Sequence, residues 1–490
     1  MKKLLFFLFF VLILSVKIFP QSVGITDFMR LNPYSNFNNP ASFTPYNWYV
    51  GIPGASYLNF SYYNSGFTID KLLKMNNKNT PMDVYINKSL KDLTSKNWIN
   101  TNMGLELLGF GFRLKELQKF FFTFSYQLKM DQQLSYSKDL FGLLLQSFLA
   151  KNEFDKYLYS KTTPAHLDLG GNFSLYQEFS IGVQCQVIDK LYIGVRPKFL
   201  FGLFNLKANH FETRMYSDPT NGAFYGKFNV DIDLTSVIPF VAKDQKGVSL
   251  SSHGIKNINF ANAWGKSFSQ NAGFAIDFGA VYRINKELRV SVSVTDLGFI
   301  RWKSTPLNMS LKSVGNADIL LNNVSEELIS DLIKKGINIS LDSMITIANT
   351  NFAMKRMDAF TTMITSKFMA DCYFDLTPHN RFIAQFKGYL VGNKFLPQFT
   401  VAYNGTFFDA IDVVVSYSMM KNSFANLGVG AGFRIGPLHL YVGTDNIIVA
   451  KKLFNTTKVN LTAGLLLDFP LKVSHKETEL NSIFKKRESQ

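Results

Sequence analysis

Beyond its first twenty residues the chain lacks any uninterrupted apolar run long enough to cross a bilayer as a helix. It has two cysteines, Cys185 and Cys372, in 490 residues, too few for a disulfide-stapled scaffold. Its six histidines, His166, His210, His253, His379, His439 and His475, stand singly, and no HExxH or Cys–His pair spells out a zinc site. No Gly-x-Ser-x-Gly elbow, phosphate loop or dinucleotide fingerprint occurs. The chain therefore reads as no enzyme, with no cofactor and no metal. Acidic residues are scarce, 36 against 52 Lys and Arg, for a formal charge of +16. The cations are scattered over loops and strand ends, with no basic helix and no aromatic RNA-binding motif, which argues against nucleic acid. Outer-membrane lipid, lipopolysaccharide or an acidic protein are the natural counter-charges.

What is present points to a membrane barrel. Met1-Lys2-Lys3 precedes an apolar stretch from Leu4 to Val16, then Lys17 and Pro20, the pattern of a signal peptide over residues 1–21. Its removal takes away Lys2, Lys3 and Lys17 and leaves +13. Hydrophobic residues make up 47% and Phe occurs 48 times, more than a soluble core of this size needs but suited to a lipid-facing wall. In Lys458–Phe469, Val459, Leu461, Ala463, Leu465, Leu467 and Phe469 share one face, while Asn460, Thr462, Gly464, Leu466 and Asp468 share the other. Phe120–Met130 and Gly273–Tyr282 repeat the alternation. By the same parity Cys185 and Cys372 point outward and read as two free thiols, a disulfide between them requiring adjacent strands. Turns at Ile188-Asp189-Lys190, Ile284-Asn285-Lys286 and Gly436-Pro437 are short, whereas other connections are long, the asymmetry of outer-membrane barrels. The expectation is an all-β fold: a single transmembrane antiparallel β-barrel of about 14 strands, within a range of about 12 to 16, whose last strand pairs with its first. Glu287–Asp296 and Phe299–Leu311 read as two of these strands, separated at Leu297-Gly298.

The mature chain opens on Asn- and Pro-rich turns, so residues 22–45 form a hatch-like segment ahead of a barrel over 46–469, and residues 470–490 form a polar periplasmic tail. Asp70–Asn97, Asp139–Tyr157 and Asn323–Lys335 read as helical insertions in long loops. Asp277, Arg283, Asp296, Arg301 and Lys303 fall within two successive hairpins. They read either as a salt-bridge lattice stiffening the lumen or as a selective constriction. His439 shares inward parity with Tyr441 and Asp445, as a wall residue of the lumen.

Asn39-Pro40-Ala41-Ser42, Gly273-Phe274-Ala275-Ile276-Asp277-Phe278-Gly279-Ala280, Ser293–Gly298 and Gly443–Ile447 together resemble short elements of two groups of Gram-negative outer-membrane barrels. These are the FadL-type transporters of hydrophobic compounds and the PorV/PorP-type barrels of type IX secretion. The resemblance implies an outer-membrane location and an N-terminal hatch inside the barrel, and it transfers no ligand-contact residue. Its leading functional implication is a non-enzymatic barrel that binds or passes a hydrophobic or amphipathic small molecule. The alternative is a protein-interaction barrel of a secretion or surface-attachment system, with a secretion-system or periplasmic protein as partner.

Overall fold

Strict two-residue alternation leaves each strand with one apolar and one polar face, and a sheet of such strands is stable in lipid only when it closes on itself. The computed structural model describes residues 24–66, 93–114, 117, 119–140, 164–217, 224–237, 241–244, 247–250, 260–303, 309–313, 319–320, 352–356, 358–391, 394–420, 423–446 and 458–470. The leader, the tail beyond Pro470 and the insertion Asn323–Lys335 lie outside them, as does most of Asp70–Asn97 and Asp139–Tyr157.

The strands in chain order begin with β1 (Tyr46–Gly51), β2 (Leu58–Asn64), β3 (Lys96–Phe112), β4 (Phe120–Ser137), β5 (Ala165–Ile188), β6 (Leu191–Ser217) and β7 (Phe224–Ser236). A small hairpin, β8 (Val241–Asp244) and β9 (Gly247–Leu250), precedes the helix α1 (Phe260–Gln270). Then come β10 (Ala272–Arg283), β11 (Leu288–Trp302), β12 (Met309–Ser313), β13 (Ile319–Leu320), β14 (Phe352–Arg356) and β15 (Phe360–Met363). The chain closes with β16 (Ser366–Thr377), β17 (Asn380–Val391), β18 (Lys394–Phe407), β19 (Ile411–Met420), β20 (Ser423–Ile435), β21 (Leu438–Thr444) and β22 (Lys458–Pro470).

Antiparallel pairing runs β3–β4–β5–β6–β10–β11–β16–β17–β18–β19–β20–β21–β22, and β22 returns to β3 through β1 and β2, which share one place in the ring. The result is a closed barrel of 14 strands. Trp48 stacks on Phe469 at 3.7 Å across the closing seam. The outer wall carries Phe278, Phe368, Phe382, Phe399, Phe433, Leu440 and their neighbours, all exposed, while Asp371, Gln385, Thr400, Ser416 and Thr462 face inward and are buried. Cross-strand ring pairs such as Phe110–Phe124 at 5.1 Å and Phe112–Phe122 at 5.5 Å fill the outer wall. Among the described residues no helix is long and apolar enough to cross a membrane.

Two features depart from simple alternation. The expected pair of strands on either side of Leu297-Gly298 is one continuous strand, β11, interrupted by a bulge. Asp296 takes φ +59° there, a left-handed conformation that Asp tolerates better than most residues. A second departure lies on β6. Its Leu191–Phe201 half pairs with β10, but Phe204–Ser217 pairs with β7, which continues the sheet to β12 and β14 on the long-loop side. At this fork α1 lies against the outer wall: Trp264 donates from Nε1 to the Tyr126 hydroxyl at 2.6 Å, and Phe268 packs on Phe179 and Phe201. Cys185 and Cys372 are free, on the non-adjacent strands β5 and β16.

Candidate functional site

The segment 24–45 folds inside the barrel as a plug. Two short 3-10 turns, Ile25–Phe28 and Pro33–Phe37, build its first half. Pro33 suits the first position of the second turn, and Asn32 caps it by accepting from the Tyr34 N–H at 3.0 Å. Asn39-Pro40-Ala41-Ser42 is a β-turn: the Ser42 N–H donates to the Asn39 carbonyl at 2.9 Å, and the Asn39 side chain accepts from Ala41.

Carboxylates and guanidinium groups of the wall hold this plug by its backbone. The N–H groups of Gly24 and Ile25 donate to Asp445, and that of Leu31 donates to Asp412 at 2.6 Å. Gln184 donates to the Ala41 carbonyl at 2.8 Å, and Ser293 donates to that of Asn38, also at 2.8 Å. Glu106, fully buried, accepts from Ser56 at 2.5 Å, from Ser125 at 2.7 Å and from the plug's Tyr34 hydroxyl. Inward glycines make room for the backbone. A Cβ on Gly194 would fall 2.2 Å from the carbonyl carbon of Pro40, and one on Gly279 would fall 2.0 Å from Asn39 Oδ1.

Beside the plug, charges on six adjacent strands converge. Asp277 on β10 accepts from Arg196 Nε at 2.7 Å and pairs with Lys198 at 2.9 Å, and its other oxygen accepts the N–H of Asp296 at 2.7 Å. The Asp296 carboxylate takes Lys198 at 2.5 Å and Lys367 at 2.9 Å, while Lys129 bridges to Glu178 at 2.7 Å. Arg196 reaches onward to the carbonyls of Asn36 and Phe37, at 2.9 and 2.6 Å. The bulge at Asp296 thus turns an N–H into the lumen that Asp277 satisfies, and Arg196 of the lattice grips the plug.

On the long-loop side of the plug lies a cavity of about 160 Å³. Gly24, Thr26, Asp27, Phe37 and Asn38 of the plug form one wall, opposite Asn59, Asn100, Asn102, Gln127 and Gln133, with Lys129, Lys198, Lys367 and Lys387 among the cations on its lining. Tyr57, Tyr176 and Tyr389 supply the aromatic surface. Asn100 Oδ1 and Asp131 Oδ1 are buried acceptors without a hydrogen-bond partner among the described residues. Asp27, in the plug and outside the spanning strands, has its carboxyl pushed up to about 7 by burial and by the nearby Asp445 and Asp371, against the pull of Lys387 and Lys367.

Of the residues singled out in the sequence, Asp277 and Asp296 stand together at the centre of the lattice. Arg283 lies at the turn-side mouth, its guanidinium 5.6 Å from the Phe43 ring centre and 5.1 Å from that of Tyr192. Arg301 is exposed on the outer wall, because the extra residue of the Asp296 bulge reverses the parity of everything after it. Lys303 is also exposed and donates to the Ser269 carbonyl at the end of α1, at 3.1 Å. His439 is buried, with Nδ1 2.9 Å from Asp468, far round the ring from the lattice. Lys129, Glu178, Arg196, Lys198 and Lys367 escaped notice because cross-strand register, not spacing along the chain, brings them together. Their signal was inward parity alone.

Residues 40–445 match the model of a family of unknown function, DUF5723, and the chain belongs to that family. No curated protein matches it. The Pseudomonas putida toluene transporter TodX is 7% identical, with 89% of this chain and 92% of that chain covered and a TM-score of 0.40. A Pseudomonas aeruginosa FadL homologue is 9% identical, covering 90% and 94%, with a TM-score of 0.38. The Ralstonia pickettii toluene transporter TbuX is 9% identical, covering 89% and 94%, with a TM-score of 0.32.

Proposed function

We propose that this DUF5723 member is an exported outer-membrane barrel of a Gram-negative bacterium that binds a small amphipathic molecule by its polar end and admits it when the plug shifts. The observation that carries the reading is the cavity between plug and wall, lined chiefly by Asn, Gln, Lys and Tyr, with Phe37, Met103 and Met130 as its apolar share. A purely hydrocarbon ligand would strand those polar groups, whereas a head group bearing hydroxyl or amine donors would satisfy Asn100 Oδ1 and Asp131 Oδ1. The lattice cations are already paired with Glu178, Asp277 and Asp296, which favours an uncharged or zwitterionic head over a free anion. No covalent step enters this reading. The ring of His439 is held by Asp468 and flanked by Tyr441 and Gly432.

Gly104 lines the cavity, and a Cβ there would meet only Tyr57, at 3.6 Å, so Gly104→Trp fills the space without displacing backbone. Mass spectrometry of the purified barrel should find a bound amphiphile in the parent protein and lose it in the folded Gly104→Trp variant. The same bound species at the same occupancy in both proteins would sink the reading.

A further inference from the structure

The turn-side mouth carries arginines that the cavity does not use. Arg113 follows the end of β3, Arg283 ends β10, Arg289 and Arg381 are the second residues of β11 and β17, Arg434 lies near the end of β20, and Arg30 projects from the plug. All five wall arginines share inward parity, and each guanidinium lies over an aromatic ring. Arg113 and Arg283 flank Phe43 of the plug at 6.0 and 5.6 Å, Arg289 and Arg381 share Tyr373 at 5.0 and 5.7 Å, and Arg434 covers Tyr46 at 5.5 Å. Such stacking fixes the planes of the guanidinium groups and leaves their edges available for hydrogen bonds.

Inward-facing carboxylates at this rim are fewer than the guanidinium groups, while Asp189, Glu287 and Asp409 stand exposed in the turns. Asp375 is shared among Arg30 at 3.1 Å, Arg381 at 2.6 Å and Arg289 at 3.8 Å. Asp468 serves Arg434 and His439, and Asp412 is occupied by Leu31, Asn404 and Thr406. Among the described residues Arg283 has no carboxylate partner, and Arg289 Nε has no hydrogen-bond partner. Burial and the neighbouring Arg381 pull Arg30, in the plug, down to about 10 despite Asp375, a mark of crowded positive charge.

We propose that this arginine collar is a docking site for an acidic segment of a periplasmic protein. Its extent selects the occupant. Arg283 on β10 and Arg434 on β20 are six strand positions apart in the ring, about 29 Å along the wall at the usual strand spacing. One phosphate or one carboxylate cannot span that arc, whereas an extended run of about ten acidic residues reaches roughly 33 Å. Lipid head groups are a poorer match, because the collar lines the inner rim of the mouth and not the outer wall. The site is separate from the cavity and stands whether or not the cavity binds an amphiphile.

The test uses a fluorescent ten-residue polyglutamate peptide and the full-length barrel in detergent, with binding followed by anisotropy at low salt. The double variant Arg283→Gln/Arg289→Gln orphans no carboxylate, since Asp375 keeps Arg30 and Arg381. It should weaken peptide binding roughly tenfold or more, the loss of two charge-assisted contacts. Arg301→Gln/Lys303→Gln removes the same charge from the outer face and should leave binding unchanged, with heat-shifted gel mobility confirming that both variants are folded. Equal weakening by the two double variants would overturn the proposal. So would a parent barrel that does not bind the peptide, or inorganic phosphate that competes as well as the peptide at equal charge concentration.

Discussion

At the scale of single residues, the inward glycines decide how tightly the plug can sit. Gly194 faces the Asn39-Pro40 turn with no gap, and the atoms a side chain would strike are the backbone carbonyl and amide of Pro40 and Ala41. Backbone cannot rotate away as a flexible side chain can, so Gly194→Val must displace the turn or bend β6. Pairing with β5 and β10 on either side holds β6, and the plug is the softer partner. The variant barrel should fold, keep its resistance to heat in detergent, and expose the plug to protease at least tenfold faster than the parent. Unchanged plug protection would mean that the wall yields instead. The glycine at 194 was visible in the sequence, but its purpose was not, because nothing in local spacing says which residue of a distant segment will lie against it.

At the scale of elements, most of the barrel was legible, and β11 and α1 are the exceptions. Two-residue alternation is so strict that β4, β10 and β22 could be read residue by residue, and the Asn-Pro turns announced a segment outside the sheet. β11 misled because Asp-Leu-Gly serves a bulge as readily as a turn, and the bulge then sent Arg301 to the opposite face from the one its neighbours suggested. Helix α1 was not legible at all. Its sequence, Phe260–Gln270, carries Gly265 and three serine or asparagine residues, a weak helix former that tertiary contacts sustain. The key contact is Gln177 of β5, fully buried although it faces the outer wall, which donates to Ser267 at 2.6 Å and accepts from the Tyr126 hydroxyl. Gln177→Leu keeps the volume but strips those bonds and should cost the helix about 1–3 kcal/mol of docking free energy. Trypsin cleavage after the exposed Lys266 should then rise roughly fivefold or more, with the barrel intact. A helix held by its apolar contacts alone, Trp264 and Phe268, would show no change.

At the scale of the whole molecule, a shift of the plug on the proposed reading must break the apolar cluster of Ile25, Phe28, Met29 and Tyr34 with Tyr49, Val414, Tyr441 and Leu466, and with it the polar contacts to the wall. Such contacts can be biased by a single proton. Asp27 sits where plug, wall and cavity meet, within electrostatic reach of Lys387, Lys367, Asp445 and Asp371. Docking raises its carboxyl from 3.8 to about 7, so the docked state holds a proton that the released, hydrated plug gives up. The linkage has one sign. The contribution of Asp27 to closure is full below about 3.8, declines as pH rises toward about 7, and is spent above that value. In planar bilayers the purified barrel should open more often at pH 7.5 than at pH 4.5, with little further change at higher pH. Asp27→Asn cannot ionise, and its amide oxygen can still accept from Asn38, so the variant should open equally rarely at both values. A parent barrel that opens less at pH 7.5, or an Asn variant with the same pH dependence, would show that closure is set by the lattice around Asp277 and Asp296 and not by the plug's own carboxylate.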